Sequence, residues 1–346
     1  MFRFCKNILG VSIRFSMSYS RHKKASDIFI AYIRKKIADM ECSAYLYKGN
    51  AYAHNSIANY KKILRLWPDF EEFIGCDGIR ISEISMETYS RFMEFCDSRR
   101  YMDSTKYQYM TLIKAVMNSA LEEGVSDNNI QNSKGFVTHR ASSVFKKVYL
   151  TEDEISGLAA LDLTESPSSL QKVRDVFLIG CWTGQRFSDY SGISMDEMEE
   201  ITIDGIAYKA LRMIQKKTDR TVIVPVLDKR LLDIIEHWGG RTPKVSVSVM
   251  NSKIKQLCRM AGIDALTTVY CRKGGVKIKV SKPKYELVSS HTARRSFITN
   301  LYLGGKLSTG QIRSISGHSS EESFKRYLCQ SNEDEIKGII KNVIGV

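Results

Sequence analysis

Residues 201–225 read ITIDGIAYKALRMIQKKTDRTVIVP, and along them apolar and polar positions alternate with a period of two. This period is typical of half-buried strands, and the pairs Asp204-Gly205 and Thr218-Asp219 are turn signals. We therefore predict a small antiparallel sheet of about three strands. Helical patterns surround it, apart from a basic, hairpin-like stretch at 268–288. The predicted fold class is mainly α with a small antiparallel β-sheet.

The first half of the chain has the 3.6-residue period of amphipathic helices. Four helices are predicted, at 26–49, at 56–73, after Ser85 and from Asp103, which we interpret as an N-cap. Pro68 should kink or end the regular part of the second helix. Short connections between these helices indicate a compact helical bundle.

Domain boundaries follow from a change in composition. Residues 127–141 are polar and rich in turn formers, and Thr151 and Glu154 then form a capping box that opens a new helix. We predict a helical domain at 26–138, a linker at 139–150 and a second domain at 151–346. Residues 1–25 are interpreted as a loose basic tail, and no stretch of the sequence has the length of a transmembrane helix.

The bulk composition limits the class of partner. The 346 residues carry a formal net charge of +14, which favours a polyanionic partner. Nucleic acid is the first candidate, an anionic membrane surface the second, and a basic enzyme without such a partner the third. The eight cysteines form no C-x-x-C pair, so the spacing of a metal site is absent and reduced thiols in a cytoplasmic protein are expected. We predict no metal and no cofactor.

Four short segments of the second half carry ionisable side chains whose chemistries complement one another. They are TGQRFSD at 183–189, KKT at 216–218, HTARR at 291–295, and GH at 317–318 followed by Tyr327. Each alone fits an ordinary structural use. Together they supply cations, two imidazoles and a phenol, which suit metal-free attack on a phosphodiester. Guanidinium forks stabilise the negative charge of its transition state, and histidine can take the phenolic proton.

These segments resemble the signature boxes of the tyrosine recombinase (phage integrase) family in order, spacing and context. TGQRFSD is similar to T-G-x-R-x-S-[DE], HTARR to the H-x-x-R box, and GH with Tyr327 nine residues later to the final box. Lys217-Thr218 before the strand at 222–225 resembles the lysine box. The stretch 284–305 is similar to integrases of Bacteroidetes mobile elements and phase-variable regions. The N-terminal bundle resembles the SAM-like core-binding domain of the family.

The resemblance implies a role for each residue. Arg186 and Arg294 would clamp the scissile phosphate, and His318 would donate a hydrogen bond to it. His291 would be the general base, Lys217 the general acid for the 5′-hydroxyl, and Tyr327 the nucleophile that forms a 3′-phosphotyrosine.

Three further residues of these boxes were considered. Lys216 remains the alternative to Lys217, because one sequence does not determine hairpin register. Asp189 would orient a group of the active site or serve as an ordinary helix-start carboxylate. We interpret Arg295 as structural.

The expected substrate is double-stranded DNA carrying an inverted-repeat recombination site, in a bacterial cytoplasm and associated with the nucleoid. Candidate phosphate contacts are Lys61, Lys62, Arg65, Lys106, Lys114 and the lysines of 277–284. The amphipathic segment 333–346 resembles the family's C-terminal helix, which docks on a neighbouring subunit in a tetramer; its alternative is packing on its own domain. DNA-bending accessory proteins are possible partners. An arm-binding domain is not expected, since only about 25 residues precede the bundle.

Two other functions would use a similar set of residues. A type IB topoisomerase uses nearly the same active site to relax supercoils, and a decayed recombinase would only bind DNA. The bacterial integrase style argues against the first, and the presence of all six catalytic residue types argues against the second.

Overall fold

The computed structural model describes residues 27–47, 49–136, 147–273 and 276–329. The predicted tail at 1–25, most of the predicted linker and the predicted C-terminal helix at 333–346 lie outside these residues. The chain divides into two compact units near residue 143. Within the described ranges, no helix is both long and apolar enough to cross a membrane.

The first unit contains the four predicted helices. They are α1 (Phe29–Glu41), α2 (His54–Ile74), α3 (Met86–Ser98) and α4 (Asp103–Glu122). Ser85 caps α3, its hydroxyl accepting from the backbone N–H of Thr88, as this residue type does at a helix start. Aromatic rings fill the core, where the ring centroids of Phe29 and Trp67 lie 3.9 Å apart.

Three details of this unit differ from the sequence-based expectations. α1 ends at Glu41 and not near residue 49, and a short hairpin follows, β1 (Leu46–Tyr47) and β2 (Asn50–Ala51). α2 continues through Pro68, which is exposed and does not end the helix. The N-cap of α4 is Met102, and Asp103 is the first helical residue, where a carboxylate still favours the helix dipole.

The second unit is mainly helical and contains the predicted sheet. Its helices are α5 (Glu152–Ala159), α6 (Ser168–Thr183), α7 (Phe187–Tyr190), α8 (Arg230–His237), α9 (Val247–Met260), α10 (Ser290–Leu303), α11 (Thr309–Ser316) and α12 (Glu321–Lys325). Its strands are β3 (Met198–Ile203), β4 (Ile206–Gln215), β5 (Arg220–Pro225), β6 (Leu266–Lys273) and β7 (Val276–Pro283). The predicted fold class is confirmed.

Both predicted turns of the sheet are present. β3, β4 and β5 pair antiparallel in chain order, and the register ends at Ile203–Ile206 and at Gln215–Arg220. Asp204, Gly205 and Asp219 have positive φ, the conformation that hairpin turns need. This register decides which residues of the β4–β5 turn face the rest of the unit.

The core of the second unit is built around α6, which packs against α9 and α10. Gly184 is the C-cap of α6 and Gly317 is the C-cap of α11, both in the left-handed conformation that favours glycine. A side chain at Gly184 would also collide with the Phe297 ring at 2.2 Å. The end of α6 therefore lies directly against α10. The segment 183–189 starts at the end of α6, and the segment 317–318 starts at the end of α11.

Candidate active site

A single open cleft of about 930 Å³ in the second unit brings the chemistry-bearing segments together. Arg186, Lys217, His291, His318 and Tyr327 all line it. The other lining residues are Lys147, Thr218, Asp219, Arg220, Arg295, Gly317, Ser319, Ser323 and Arg326. Six of these side chains are lysine or arginine and only one is a carboxylate, so the cleft is strongly cationic and suits a polyanion.

Arg294 lies beneath the cleft and is completely buried. Its Nη1 donates to the carbonyl of Gly184 at 2.9 Å, and its Nη2 donates to Nε2 of His318 at 2.9 Å. Burial, followed by the positive charge of Arg186, lowers the pKa of Arg294 to about 10, which still leaves it charged at neutral pH. The Nε of Arg294 has no hydrogen-bond partner among the described residues. This guanidinium therefore has spare donor capacity.

His318 is held as a neutral ring. Its Nδ1 lies 2.8 Å from Oγ of Ser316, whose own proton goes to the carbonyl of Ile312 at 2.6 Å. Nδ1 is therefore the donor, and Nε2 is left to accept from Arg294. Burial, with Arg294 and Arg186 nearby, lowers the pKa of His318 to about 3. The imidazole is thus uncharged at neutral pH and orients the arginine.

Tyr327 lies two residues after the end of α12, and its ring is close to His318, His291 and Arg294. The ring centroid is 5.0 Å from that of His318, 6.3 Å from that of His291, and 5.0 Å from the guanidinium carbon of Arg294. The phenol is half-buried and lines the cleft. A reacting group in the cleft would have a phenol, two imidazoles and a guanidinium within reach.

His291 is the second residue of α10 and keeps an exposed edge in the cleft. The burial of the rest of its ring, followed by the charges of Arg295, Arg294, Arg186 and Lys217, lowers its pKa below the usual 6.5. A lowered pKa keeps this imidazole unprotonated at neutral pH, as a general base must be.

Arg186 precedes α7 and is fixed by amide contacts. Its Nη1 donates to Oε1 of Gln215 at 3.0 Å, and the nearest carboxylate oxygen of Asp189 is 4.0 Å away. Asp189 is buried and accepts the backbone N–H of Lys216 at 3.0 Å. Asp189 therefore ties the β4–β5 turn to the Arg186 segment, in line with the orienting interpretation of this residue.

The hairpin register separates the two candidate lysines. Lys217 lines the cleft with Arg186 and Tyr327, whereas Lys216 is not among the lining residues. The ammonium of Lys216 lies against Gly192, 3.2 Å from where a Cβ would stand. Arg295, interpreted as structural, does bind the carbonyl of Val148 at 3.4 Å but also lines the cleft.

Sequence reasoning missed several residues of the site. Gln185 and Gln215 are completely buried beside Arg186, and Ser316 orients His318. Lys147 and Arg326 add charge to the cleft, and Lys147 donates to the Arg326 carbonyl at 2.7 Å. No local signal in the sequence marks the two glutamines, because periodicity predicts apolar side chains at buried positions.

The predicted DNA contacts of the first unit are unequal. Arg65 and Lys62 are exposed, Lys114 is half-buried, and Lys61 forms an ion pair with Glu41 at 2.6 Å. Lys106 is buried and ion-paired with Asp97 and Asp103, so the structure does not support it as a phosphate contact.

Two lysines of the basic hairpin are also engaged within the protein. Lys282 pairs with Glu286 at 3.1 Å and Lys284 with Glu154 at 2.5 Å. In the part of the chain that the structure describes, no group of three or more His, Cys, Asp or Glu side chains is arranged to hold a metal ion.

Both units of the chain match models of known protein families. The model of the phage integrase SAM-like domain matches residues 28–135, and that of the phage integrase family matches residues 148–334. No curated protein matches.

Solved structures of recombinases resemble this fold at low identity. The Tn1549 transposon integrase in complex with circular intermediate DNA superposes with a TM-score of 0.58 at 14% identity, covering 91% of this chain and 99% of that one. A lambda integrase dimer bound to a COC′ core site gives 0.60 at 14% identity, covering 86% and 94%. The XerH recombinase bound to its difH substrate gives 0.56 at 14% identity, covering 90% and 95%.

These structures share the fold, and the catalytic-domain match spans more than half of the chain. The chain therefore belongs to the phage integrase family and is a tyrosine recombinase, an enzyme of site-specific DNA recombination.

Proposed function

We propose that this recombinase cleaves and rejoins DNA strands through a 3′-phosphotyrosine on Tyr327, without a metal ion. The observation that carries the proposal is the clustering of Tyr327, two imidazoles and two arginines around one cationic cleft. Neither type IB topoisomerase activity nor DNA binding without cleavage is favoured by the family match.

Cleavage begins with attack of the Tyr327 oxygen on the scissile phosphorus. The phenolic proton passes to His291, whose lowered pKa leaves it free to accept. A bond forms between the Tyr327 oxygen and phosphorus, and the bond from phosphorus to the 5′-oxygen breaks. Lys217 gives a proton to that oxygen, so a free 5′-hydroxyl leaves and nothing is oxidised or reduced.

Arg186 and Arg294 would stabilise the pentavalent transition state. Among the described residues, Arg294 forms no ion pair with a carboxylate, and Arg186 has only a marginal contact with Asp189 at 4.0 Å. The charge of both arginines is therefore not fully offset within the protein. Preorganised donors of this kind are usually the largest contribution to such a rate, about 10²- to 10³-fold for each donor.

His318 would change its partner when DNA binds. In the free protein its Nε2 accepts from Arg294, so it cannot donate to a phosphate oxygen in that tautomer. A phosphate anion in the cleft offsets the nearby arginine charges and raises the pKa of His318, which allows a proton on Nε2. The ring then donates to the phosphate, as the family resemblance implies.

The DNA-bound state would extend beyond one chain. We place an inverted-repeat duplex in the cleft and a tetramer around two such duplexes, assembled through the segment 333–346. DNA-bending accessory proteins would be further partners, and a DNA substrate would place the enzyme at the nucleoid. The solved lambda integrase dimer on its core site supports DNA as the partner by analogy of fold.

A trapping experiment tests the chemistry. The substrate is a duplex carrying the inverted repeats that flank the encoding element, nicked so that a short fragment diffuses away after cleavage. The reaction is run in EDTA and resolved on a denaturing gel. A protein–DNA adduct is expected with the wild type, and none with Tyr327→Phe, which should bind the duplex as tightly in a gel shift.

Tyr208→Phe is the matched control, because Tyr208 is an exposed strand residue outside the cleft. It should form the adduct at the wild-type rate. An adduct with Tyr327→Phe would show that another residue is the nucleophile, and dependence of the wild-type adduct on a divalent metal would contradict the metal-free chemistry.

A further inference from the structure

Gln215 is the last residue of β4 and is completely buried at the centre of the catalytic segments. Its Oε1 accepts from Nη1 of Arg186 at 3.0 Å and from Oγ1 of Thr218 at 3.1 Å. Its Nε2 donates to Oε1 of Gln185 at 2.7 Å and to the carbonyl of Ser316 at 3.1 Å. Both acceptor positions and both donor protons of this amide are therefore used.

The orientation of the Gln215 amide is determined by its partners. Arg186 offers donors only, and the carbonyl of Ser316 is an acceptor only. Turning the amide over would place a donor against the arginine and an acceptor against the carbonyl. Gln185 cannot compensate, because its Nε2 already donates to the carbonyls of Thr183 at 3.0 Å and Ile315 at 2.9 Å.

The four contacts of Gln215 reach three separate segments of the site. One segment carries Arg186, and the second is the turn that carries Lys217. That turn is also closed by the Gln215 carbonyl, which accepts from the backbone of Thr218 at 3.2 Å and of Asp219 at 2.9 Å. The third segment is the end of α11, where Ser316 lies two residues before His318.

Gly317 shows how closely the third segment approaches. A Cβ at this position would stand 2.4–2.6 Å from the side chain of Gln215, and the residue also has a φ of +71°. Gly317 is therefore required both for the left-handed end of α11 and for the space that the buried amide occupies. Gly317, the residue before His318, is therefore in packing contact with the Gln215 side chain.

We propose that Gln215, with Gln185 behind it, is a positioning residue that holds Arg186, the Lys217 turn and the Gly317–His318 segment in one arrangement. The proposal rests on the proposed function, since it assumes that these three segments act on the same phosphate. Gln215 does not itself line the cleft, so its effect on the reaction is exerted through the groups it binds. A displacement of about 1 Å at such groups can cost about 100-fold in rate.

Two substitutions test this role. Gln215→Leu removes all four side-chain hydrogen bonds, whereas Gln215→Glu keeps the shape but presents acceptors to Ser316 and Gln185. Gln131→Leu is the control, because Gln131 is an equally buried glutamine of the helical unit. Single-turnover cleavage of the nicked duplex, the gel-shift midpoint and the melting temperature are measured for each variant.

Both Gln215 variants should cleave roughly 10- to 100-fold more slowly than the wild type with little change in DNA affinity. Gln131→Leu should cleave at the wild-type rate. A second substrate carries sulfur in place of the bridging 5′-oxygen, and a thiolate leaves with little help from an acid, its pKa being about 8.5. The deficit of the Gln215 variants should be smaller on this substrate, because part of it comes from the Lys217 turn.

A purely structural role would lower the folded fraction and reduce both rates by the same factor. Equal deficits on the two substrates would therefore overturn the proposal, as would wild-type cleavage by Gln215→Glu. If Gln215→Leu does not fold, the Glu variant decides. Absence of an adduct with the wild-type protein would overturn the proposed function together with this role, whereas a wild-type adduct with unchanged variants would overturn the role of Gln215 alone.

Discussion

The two units bury positive charge in opposite ways. In the helical unit, the buried ammonium of Lys36 pairs with Glu123 at 3.3 Å, and that of Lys106 pairs with Asp97 and Asp103. In the catalytic unit, the buried guanidinium of Arg294 binds only a carbonyl and an imidazole among the described residues. A buried ion normally needs a partner of opposite charge.

The difference separates charge that serves the fold from charge that serves a ligand. The two buried lysines of the helical unit, Lys36 and Lys106, complete their own ion pairs and have nothing left for DNA. Arg294 pays the desolvation cost without recovering it inside the protein, which is expected if a phosphate supplies the missing negative charge. Four predictions test this contrast, starting with the largest effect.

Arg294→Met should reduce the single-turnover cleavage rate by about 10²- to 10³-fold, because it removes a preorganised donor to the transition state. The melting temperature should change little, since the loss of the two hydrogen bonds to Gly184 and His318 is offset by the removal of an uncompensated buried cation. Both quantities are measured on the same preparation. A clear drop in melting temperature would mean that Arg294 stabilises the fold and that the contrast between the units is wrong.

Lys217→Ala should slow cleavage of the oxygen substrate by roughly 100-fold, the usual size of general-acid catalysis. The 5′-sulfur substrate should restore most of that rate. Lys216→Ala is the matched control, since its ammonium lies against Gly192 and outside the cleft lining. The reverse result, with Lys216→Ala slow and rescued by sulfur, would assign the acid to the other lysine.

The lysine pair shows where sequence reasoning reaches its limit. The strands and turns of the sheet could be predicted because alternation and turn residues are local signals, and the signature boxes were predicted from their spacing. Which lysine enters the cleft depends on the register and on the backbone bond from Lys216 to Asp189, which joins residues 27 positions apart. A single sequence does not show which residues form hydrogen bonds over such separations.

The sequence likewise does not predict which polar side chains are buried. Gln215 occupies the inward face of β4 after Leu211 and Met213, where alternation predicts an apolar side chain. Lys106 has a hydrophilic side chain on an amphipathic helix, and only α3 supplies Asp97 to bury it. The β1–β2 hairpin was missed because strands of two residues show no period. For the two buried polar side chains, partners on other elements overrode the local signal.

His318 should make the stability of the catalytic unit depend on pH. Its folded pKa, about 3, lies below the ordinary 6.5, so between these values the unfolded chain binds more protons than the native one. The free energy of unfolding should therefore decrease as the pH falls from 6.5, by about 1 to 2 kcal/mol at pH 5.

His318→Gln removes this contribution and should flatten the dependence by that amount. Urea unfolding of both proteins at pH 7 and pH 5 gives the comparison, and carboxylates common to both cancel in the difference. Parallel curves for the two proteins would show that the ring is not held neutral by its burial beside Arg294.

Lys106→Met is expected to have the smallest effect, and the effect should be on stability and not on cleavage. Loss of the ion pair should lower the free energy of unfolding by about 1 kcal/mol, because Lys106 gives up a charge-assisted hydrogen bond while Asp97, whose side chain is 53% exposed, regains water. Cleavage and the salt dependence of DNA binding should not change, since a buried ammonium releases no counterion from DNA. Lys62→Met, at an exposed position of the same unit, is the control that should leave stability unchanged. A lower salt slope for Lys106→Met would return this lysine to the DNA contacts, and it would mean that the helical unit, like the catalytic one, buries a charge for its ligand.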